Sequence, residues 1–176
     1  MKVIVRGGAG LDTIDYEYAK TKGIAVMNTP LANSASVAEL AIGYMLMMAR
    51  SLYQATASMK AEKWDKKSFN GDEIGGKNPG LIGVGNIGKE VAKRASVMGM
   101  TVVAYDPYVK EIAGIKLVTL DELLAQADYI SLHLPKTKES SNMIGAEQFA
   151  KMKNGVRIVN QARRMASSAK MLSTKH

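Results

Sequence analysis

The feature that most constrains the fold is the segment GVGNIG at residues 83–88, which overlaps the apolar run PGLIGV. It matches the pattern G-x-G-x-x-G. In this pattern the first glycine makes a tight turn, the second lets the backbone approach a pyrophosphate, and the third lets a helix pack closely on the preceding strand. Gly83, Gly85 and Gly88 hold these positions, and Asn86 and Ile87 open the following helix. The motif predicts a strand, a phosphate loop and a helix whose N-terminus faces the phosphates.

Strands and helices alternate through the rest of the chain. The predicted strands are PGLIGV, TVVAYD, DYISLHLP and GVRIVN, and the predicted helices are Ile87 to Met98, LDELLAQA and GAEQFAKMK. This alternation is typical of the α/β class and predicts a doubly wound parallel Rossmann sheet. Ahead of it, KVIVR, YEYAKTKG and IAVMNTP predict a smaller β-α-β unit, in which Asp12 caps the helix and Gly23 ends it.

A long apolar helix is predicted between these two units. Ser34 or Ser36 is expected to cap it, and Glu39 lies three residues after Ser36, as in a capping box. Apolar side chains recur at helical spacing at Val37, Leu40, Ala41, Tyr44, Met45, Met48 and Leu52. This stripe is wide and rich in methionine, so it predicts either core packing or a subunit interface, and the sequence does not decide between them.

Asp106 follows the second strand of the Rossmann pattern, eighteen positions after Gly88. An acid at this place accepts hydrogen bonds from the ribose hydroxyls of a dinucleotide, and its charge repels the additional 2′-phosphate of NADP. The predicted cofactor is therefore NAD, with the turn from Tyr105 to Tyr108 lining the same groove. The alternative is that Asp106 only begins the turn before Pro107.

Composition and charge narrow the partners. The net charge is +8, but the lysines are spread along the chain without a dense basic run, so a small anionic ligand is expected and a nucleic acid is not. The chain has no cysteine, which excludes disulfides and thiolate metal sites and fits the cytoplasm; no metal site is expected. The apolar helix is too short to span a bilayer and contains Glu39, and the N-terminus lacks a signal peptide, so no membrane partner is expected.

Six segments, read in order, resemble one family. RGGAGLDTID, NTPLANSASVAEL, GLIGVGNIGKEVA, VVAYDP, HLPKTKES and GVRIVNQAR are similar to motifs of the NAD-dependent D-2-hydroxyacid dehydrogenases. QATASMKAEKWDKKSF is most similar to the branch that oxidises 3-phosphoglycerate. The resemblance implies hydride transfer between C2 of a 2-hydroxy acid and NAD, in this branch for serine biosynthesis. It also implies a homodimer through the helix around residues 37–49.

The same resemblance assigns site residues. It places the cofactor against Gly83, Gly85, Asn86, Ile87, Gly88 and Asp106, and against the later loop of His133, Leu134, Pro135 and Thr137. It places the carboxylate or phosphate of the substrate at Arg6, Gly7 and Gly8. It makes Arg163, in NQAR, the catalytic-site arginine that binds the substrate carboxylate and polarises the oxygen at C2; the alternative is a solvated arginine at a strand end.

Three regions are expected from these matches: residues 1–30 as a remnant of the substrate domain, residues 31–163 as the NAD-binding Rossmann domain, and residues 164–176 as an aberrant tail. The tail RMASSAKMLSTKH does not continue the family pattern, and a shifted reading frame is one hypothesis for it. The family's general base is a histidine in a later segment, paired with a glutamate, and neither matches here. Two functions stay open: an active oxidoreductase, or an NAD-binding module without turnover.

Overall fold

The computed structural model describes residues 1–11, 13–135, 137 and 140–162. The described strands are β1 Val3–Arg6, β2 Ala25–Asn28, β3 Pro79–Ile82, β4 Val103–Tyr105, β5 Lys116–Leu117, β6 Tyr129–Leu132 and β7 Arg157–Asn160. The helices are α1 Tyr16–Thr21, α2 Ser34–Ala49, α3 Leu52–Lys60, α4 Asn86–Val97, α5 Leu120–Gln126 and α6 Ala146–Lys151, with a short 3₁₀ turn at Lys67–Phe69.

The larger sheet has five parallel strands in the order β5-β4-β3-β6-β7. Its central strand β3 is flanked on both sides, so that Leu81 pairs with Ala104 on one side and with Ser131 on the other. All four residues of β3 and of β6 are buried, as expected of parallel strands covered on both faces. The predicted doubly wound parallel sheet is confirmed; strand β5 was not predicted.

Each face of this sheet carries its own hydrophobic core. On one face α2 and α4 pack on side chains such as Leu81, Ala104 and Val159. On the other face α5 and α6 pack on side chains such as Ile82 and Ile130. Neighbouring residues of β3 point to opposite faces, so Leu81 and Ile82 serve the two cores separately.

The start of α2 differs from the prediction. Asn33 holds the N-cap position without a side-chain cap bond, and Ser36 donates from its hydroxyl to the carbonyl of Asn33 over 3.0 Å. Glu39 forms an ion pair with Arg94 of α4 at 3.2 Å. The predicted caps at Ser34 and Ser36 are therefore wrong, because both serines lie within the helix. The predicted capping box is also wrong, because Glu39 is paired with a neighbouring helix.

The apolar stripe is interrupted and serves two surfaces. Helix α2 ends at Ala49, and Ser51 adopts a left-handed conformation (φ 49°) before α3 begins. Ala41 and Met45 are buried in the core, whereas Leu40 and Tyr44 keep 49% and 41% of their surface exposed. Core packing is confirmed for one side of the stripe, and the other side remains accessible.

The smaller unit is a parallel pair of strands, β1 and β2, with Val3 opposite Ala25 and Arg6 opposite Asn28. The predicted β-α-β arrangement is confirmed. Its helix α1 is capped by Asp15, whose carboxylate accepts from the backbone N–H of Tyr18 at 2.9 Å, so the predicted cap at Asp12 is wrong. Asp12 itself lies outside the described residues. Gly23 follows the helix with φ 64°, as predicted for its end.

Among the described residues, no single helix has the length and apolar character needed to cross a membrane. Helices α2 and α3 have that length and apolar character only when they are counted together, and they are separated by a bend of 69°.

Candidate cofactor site

The candidate site lies at the carboxyl ends of the parallel strands. Gly83 follows β3, Asp106 follows β4, His133 follows β6 and Gln161 follows β7. The strands are parallel, so their carboxyl ends meet at one edge of the sheet. In open α/β sheets, ligands bind in the crevice outside this edge.

The phosphate loop is shaped by close backbone contacts at two of its glycines. Gly83 has φ 95°, and a Cβ atom there would lie 2.7 Å from the carbonyl oxygen of His133. A Cβ atom on Gly88 would lie 2.2 Å from the carbonyl oxygen of Gly83. A side chain at either position would collide with backbone. The tight turn and the close helix–strand approach expected from the motif are therefore physical requirements of this loop.

Gly85 is different because it faces open space. It occupies the N-cap of α4, and a Cβ atom there would meet no heavy atom within 4 Å among the described residues. In the described part of the chain no side chain caps this helix, and the first intrahelical bond runs from the N–H of Lys89 to the carbonyl of Gly85. The preceding amides of the first turn point out of the helix with its positive dipole end, an arrangement that binds phosphate.

The Asp106 carboxylate is held by two backbone donors. The N–H of Val84 donates to its Oδ2 at 3.0 Å, and the N–H of Tyr108 donates to its Oδ1 at 2.9 Å. An ionised carboxylate has about four lone-pair sites, so these bonds leave room for further donors. The turn before Pro107 is thus present, and Asp106 keeps acceptor capacity beside the phosphate loop.

His133 is partly buried at the edge of the cleft. Its Nε2 lies 2.9 Å from the hydroxyl oxygen of Ser131, and its Nδ1 is buried without a partner among the described residues. Burial lowers the pKa of His133 to about 4, because the surroundings disfavour the charged imidazolium. His133 is the only histidine within the described ranges, and at neutral pH it is a weak base.

The other residues of the 133–137 loop have separate environments. Leu134 is partly buried against Gly83, with its Cδ2 3.2 Å from the position of a Cβ atom there, and Pro135 is exposed. Thr137 stabilises the loop locally: its N–H donates to the hydroxyl of Ser140 at 2.8 Å, and its own hydroxyl accepts from the N–H of Ser140 at 3.1 Å.

A cleft of about 660 Å³ is lined by residues that follow strands of both sheets. It is lined by Ala9, Gly10, Leu11, Asn33, Val37, Ile87, His133, Leu134, Pro135, Gln161 and Ala162. Four of the predicted cofactor residues therefore share one cleft, next to the phosphate loop. Sequence reasoning missed Asn33 and Gln161. Both belong to segments quoted for the family resemblance, so the signal was available, but neither residue was singled out.

The predicted substrate residues do not line this cleft. The Arg6 guanidinium donates to the carbonyl of Gly10, and the N–H of Gly8 donates to the hydroxyl of Thr29 at 2.7 Å. Gly7 is exposed in the same loop. Arg6 therefore supports the backbone of the loop whose later residues reach the cleft. Arg163 lies outside the described residues, as does the tail.

Comparison with known proteins decides the family. Residues 42–173 match the family model described as "D-isomer specific 2-hydroxyacid dehydrogenase, NAD binding domain". The chain belongs to the D-isomer specific 2-hydroxyacid dehydrogenases. NAD is the cofactor of the matched domain, and the open Gly85, the uncapped α4 and the Asp106 carboxylate suit its pyrophosphate and ribose.

Individual relatives of this chain carry several names. It is 53% identical over 164 residues to a hydroxypyruvate reductase of Thermotoga maritima, covering 93% of the chain and 54% of that protein. It is 51% identical over 168 residues to a D-3-phosphoglycerate dehydrogenase of Methanocaldococcus jannaschii, covering 93% of the chain and 32% of that protein. A D-lactate dehydrogenase from Aquifex aeolicus, solved with NAD and lactic acid, matches with a TM-score of 0.87 and 34% identity, covering 98% of the chain and 53% of that structure. The chain thus spans between a third and about half of these proteins.

Proposed function

We propose that this chain binds NAD and takes part in hydride transfer between C2 of a small anionic 2-hydroxy acid and the nicotinamide. The observation that carries the proposal is the uncapped N-terminus of α4 at the open Gly85, with Asp106 beside it and a cleft reaching His133. The bound dinucleotide would supply the hydride acceptor. The chain's own residues would bind and orient it.

Each residue has one proposed task. Gly83 and Gly88 set the shape of the loop, Gly85 gives the pyrophosphate access to the α4 amides, and Asp106 accepts from the ribose hydroxyls. Leu134 and the neighbouring residues of its loop would contact the cofactor on the side of β6. This arrangement favours NAD over NADP, because the Asp106 carboxylate would repel a 2′-phosphate.

The substrate side rests on basic groups. We propose Arg163 for the substrate carboxylate and the oxygen at C2, since a guanidinium binds a carboxylate through two parallel hydrogen bonds. Arg6, Gly7 and Gly8 are proposed to hold the far end of the substrate, with Arg6 acting through the loop that it supports. The first candidate substrate is 3-phosphoglycerate, and hydroxypyruvate is the second. A phosphoglycerate dehydrogenase and a hydroxypyruvate reductase are about equally similar to this chain.

A second candidate function is NAD binding without turnover by these 176 residues alone. It is supported by the state of His133, whose Nε2 is engaged by Ser131 and whose pKa of about 4 makes it a poor general base near neutral pH. Binding and chemistry are therefore to be measured separately.

The test is a titration of the purified 176-residue chain with NADH and with NADPH, followed by turnover assays. We expect NADH to bind at least about tenfold more tightly than NADPH, which corresponds to about 1.4 kcal/mol. Absence of NADH binding would contradict the proposed function. The turnover assays measure oxidation of 3-phosphoglycerate and reduction of hydroxypyruvate, pyruvate and glyoxylate. Turnover of any of these by the chain alone would exclude the binding-only alternative, and the relative rates would rank the substrates.

We also propose that a homodimer forms through α2, where the exposed side chains of Leu40 and Tyr44 lie one helical turn apart. Replacing both by aspartate should halve the mass measured by light scattering. Tyr18→Asp on α1 is the matched control, because Tyr18 is also exposed but lies on the other unit. A monomeric parent chain would refute this proposal. A cytoplasmic location stays a prediction from the sequence.

A further inference from the structure

The phosphate loop is tied to the end of β4 by two consecutive amides. The N–H of Gly83 donates to the carbonyl of Tyr105 at 2.9 Å, which continues the pairing of the strands by one residue. The next amide, that of Val84, donates instead to the side chain of Asp106 at 3.0 Å. The loop thus leaves the sheet at the residue where the partner changes from backbone to side chain.

The Val84 amide depends on this carboxylate. Val84 is fully buried, so its N–H cannot turn to bulk water without disturbing the core around it. A buried amide that loses its acceptor carries the full cost of its desolvation. Asp106 is itself held in place by the N–H of Tyr108, so the carboxylate is oriented before any ligand arrives.

The direction of the loop follows from this anchor. Gly85 comes immediately after Val84, and its backbone begins the first turn of α4. A rotation of the Val84 peptide would therefore turn the amides that face the pyrophosphate. Gly88 limits how far the helix could follow, because the position of a Cβ atom there already lies 2.2 Å from the carbonyl oxygen of Gly83.

We propose that Asp106 is a positioning residue for the phosphate loop, which fixes the Val84 peptide and thereby aims the α4 amides at the pyrophosphate. This role adds to the ribose contact and rests on the proposed function. This anchoring role and the charge of Asp106 have opposite effects on the affinity for an anion. A carboxylate near the loop repels an anion, so removing the charge alone should strengthen anion binding, whereas removing the anchor should weaken it.

Two variants separate these effects. Asp106→Asn removes the charge and keeps one acceptor oxygen, which can accept from Val84 when the bond to Tyr108 is given up. Asp106→Ala removes the charge and both acceptors. The probe is inorganic pyrophosphate, which contacts the loop without a ribose. We expect Asp106→Asn to bind pyrophosphate at least as tightly as the unchanged chain, and Asp106→Ala to bind it about fivefold more weakly than Asp106→Asn, as for one lost hydrogen bond. Equal pyrophosphate affinities of the two variants would overturn the proposal.

Amide hydrogen exchange of the ligand-free chain gives a second, independent readout. Val84 should be protected in the unchanged chain and in Asp106→Asn, and should exchange faster in Asp106→Ala while amides in β6 keep their protection. Unchanged Val84 protection in Asp106→Ala would also overturn the anchor. If the unchanged chain bound neither NADH nor pyrophosphate, the proposed function would fail and the exchange result would still decide whether Asp106 holds the loop.

Discussion

The close approach of α4 to its preceding strand yields the sharpest prediction. Gly88→Ala would place a methyl group 2.2 Å from the carbonyl oxygen of Gly83, where an ordinary contact is about 3.5 Å. The position of a Cβ atom is fixed by the backbone and its partner is a backbone oxygen, so no side-chain rotation can relieve the overlap. Gly83 is itself held by Tyr105 and lies against the carbonyl of His133, so the first turn of α4 would have to move away by about 1 Å.

The expected cost combines two opposing terms. Overpacking against a rigid neighbour costs about 1–3 kcal/mol, and this backbone contact belongs at the upper end. Alanine gains about 0.5–1 kcal/mol over glycine inside a helix. The net loss for Gly88→Ala should be about 2 kcal/mol. Gly85→Ala is the matched control: its methyl group meets open space, and alanine in place of an N-cap glycine should cost less than about 1 kcal/mol.

The two variants should therefore separate stability from binding. With a urea slope of about 2 kcal/mol per molar, Gly88→Ala lowers the unfolding midpoint by about 1 M, and Gly85→Ala lowers it by less than half as much. Circular dichroism is the suitable probe, since Trp64 is 80% exposed and reports poorly on the core. Gly85→Ala should still lose NADH affinity at least about tenfold, because its methyl group lies where the backbone must meet the pyrophosphate. An unchanged midpoint for Gly88→Ala, or NADH binding by Gly85→Ala equal to that of the parent, would refute the reasoning.

Three further predictions concern stability. The pKa of His133 is lowered from 6.5 to about 4 in the folded protein, so the unfolded state takes up the proton first as the pH falls. The free energy of unfolding should be unaffected above pH 7 and should fall between pH 6.5 and pH 4, by at most about 3 kcal/mol. A His133→Gln variant should show a flatter decline in urea midpoints over that range. Ser131→Ala removes the hydroxyl partner of the His133 Nε2 and should cost about 1 kcal/mol in the same assay; no loss would mean that the pair contributes nothing. Thr119→Ala removes the cap of α5 and should cost about 1 kcal/mol, whereas Ser36→Ala, which removes no cap, should cost less than half of that; equal losses would contradict the observed capping.

Much of the fold could be predicted because its signals are local. The glycine pattern at residues 83–88 needs a strand and a helix around it, and the structure has β3 and α4 there. Strand β5 was missed because it is two residues long, Lys116–Leu117, and has no period of its own. Its place in the sheet comes from pairing with β4, a contact that no local pattern encodes.

The start of α2 shows where local rules fail. Ser36 and Glu39 have the spacing of a capping box, but Arg94 on α4 offers Glu39 an ion pair. Thr119 and Glu122 have the same spacing and do form the box at α5, with the Thr119 N–H donating to the Glu122 carboxylate at 2.8 Å. The two sequences look equivalent, but α2 begins before Ser36, at Ser34, and Glu39 has a tertiary partner, so the sequence alone could not choose between them.

Asp106 shows why two competing interpretations of one residue can both hold. The sequence offered a ribose acceptor or the first residue of a turn as alternatives. In the structure the turn bond to Tyr108 and the bond to Val84 each use one oxygen, and each oxygen retains a free lone-pair direction. The structural bonds hold the carboxylate beside the phosphate loop and leave it acceptor capacity, so the turn and the proposed ribose contact are compatible. A position that orders its own loop and also contacts a ligand links specificity to loop geometry, and for this reason exchanging Asp106 to admit NADP should lower affinity for both dinucleotides unless the new side chain also accepts from Val84.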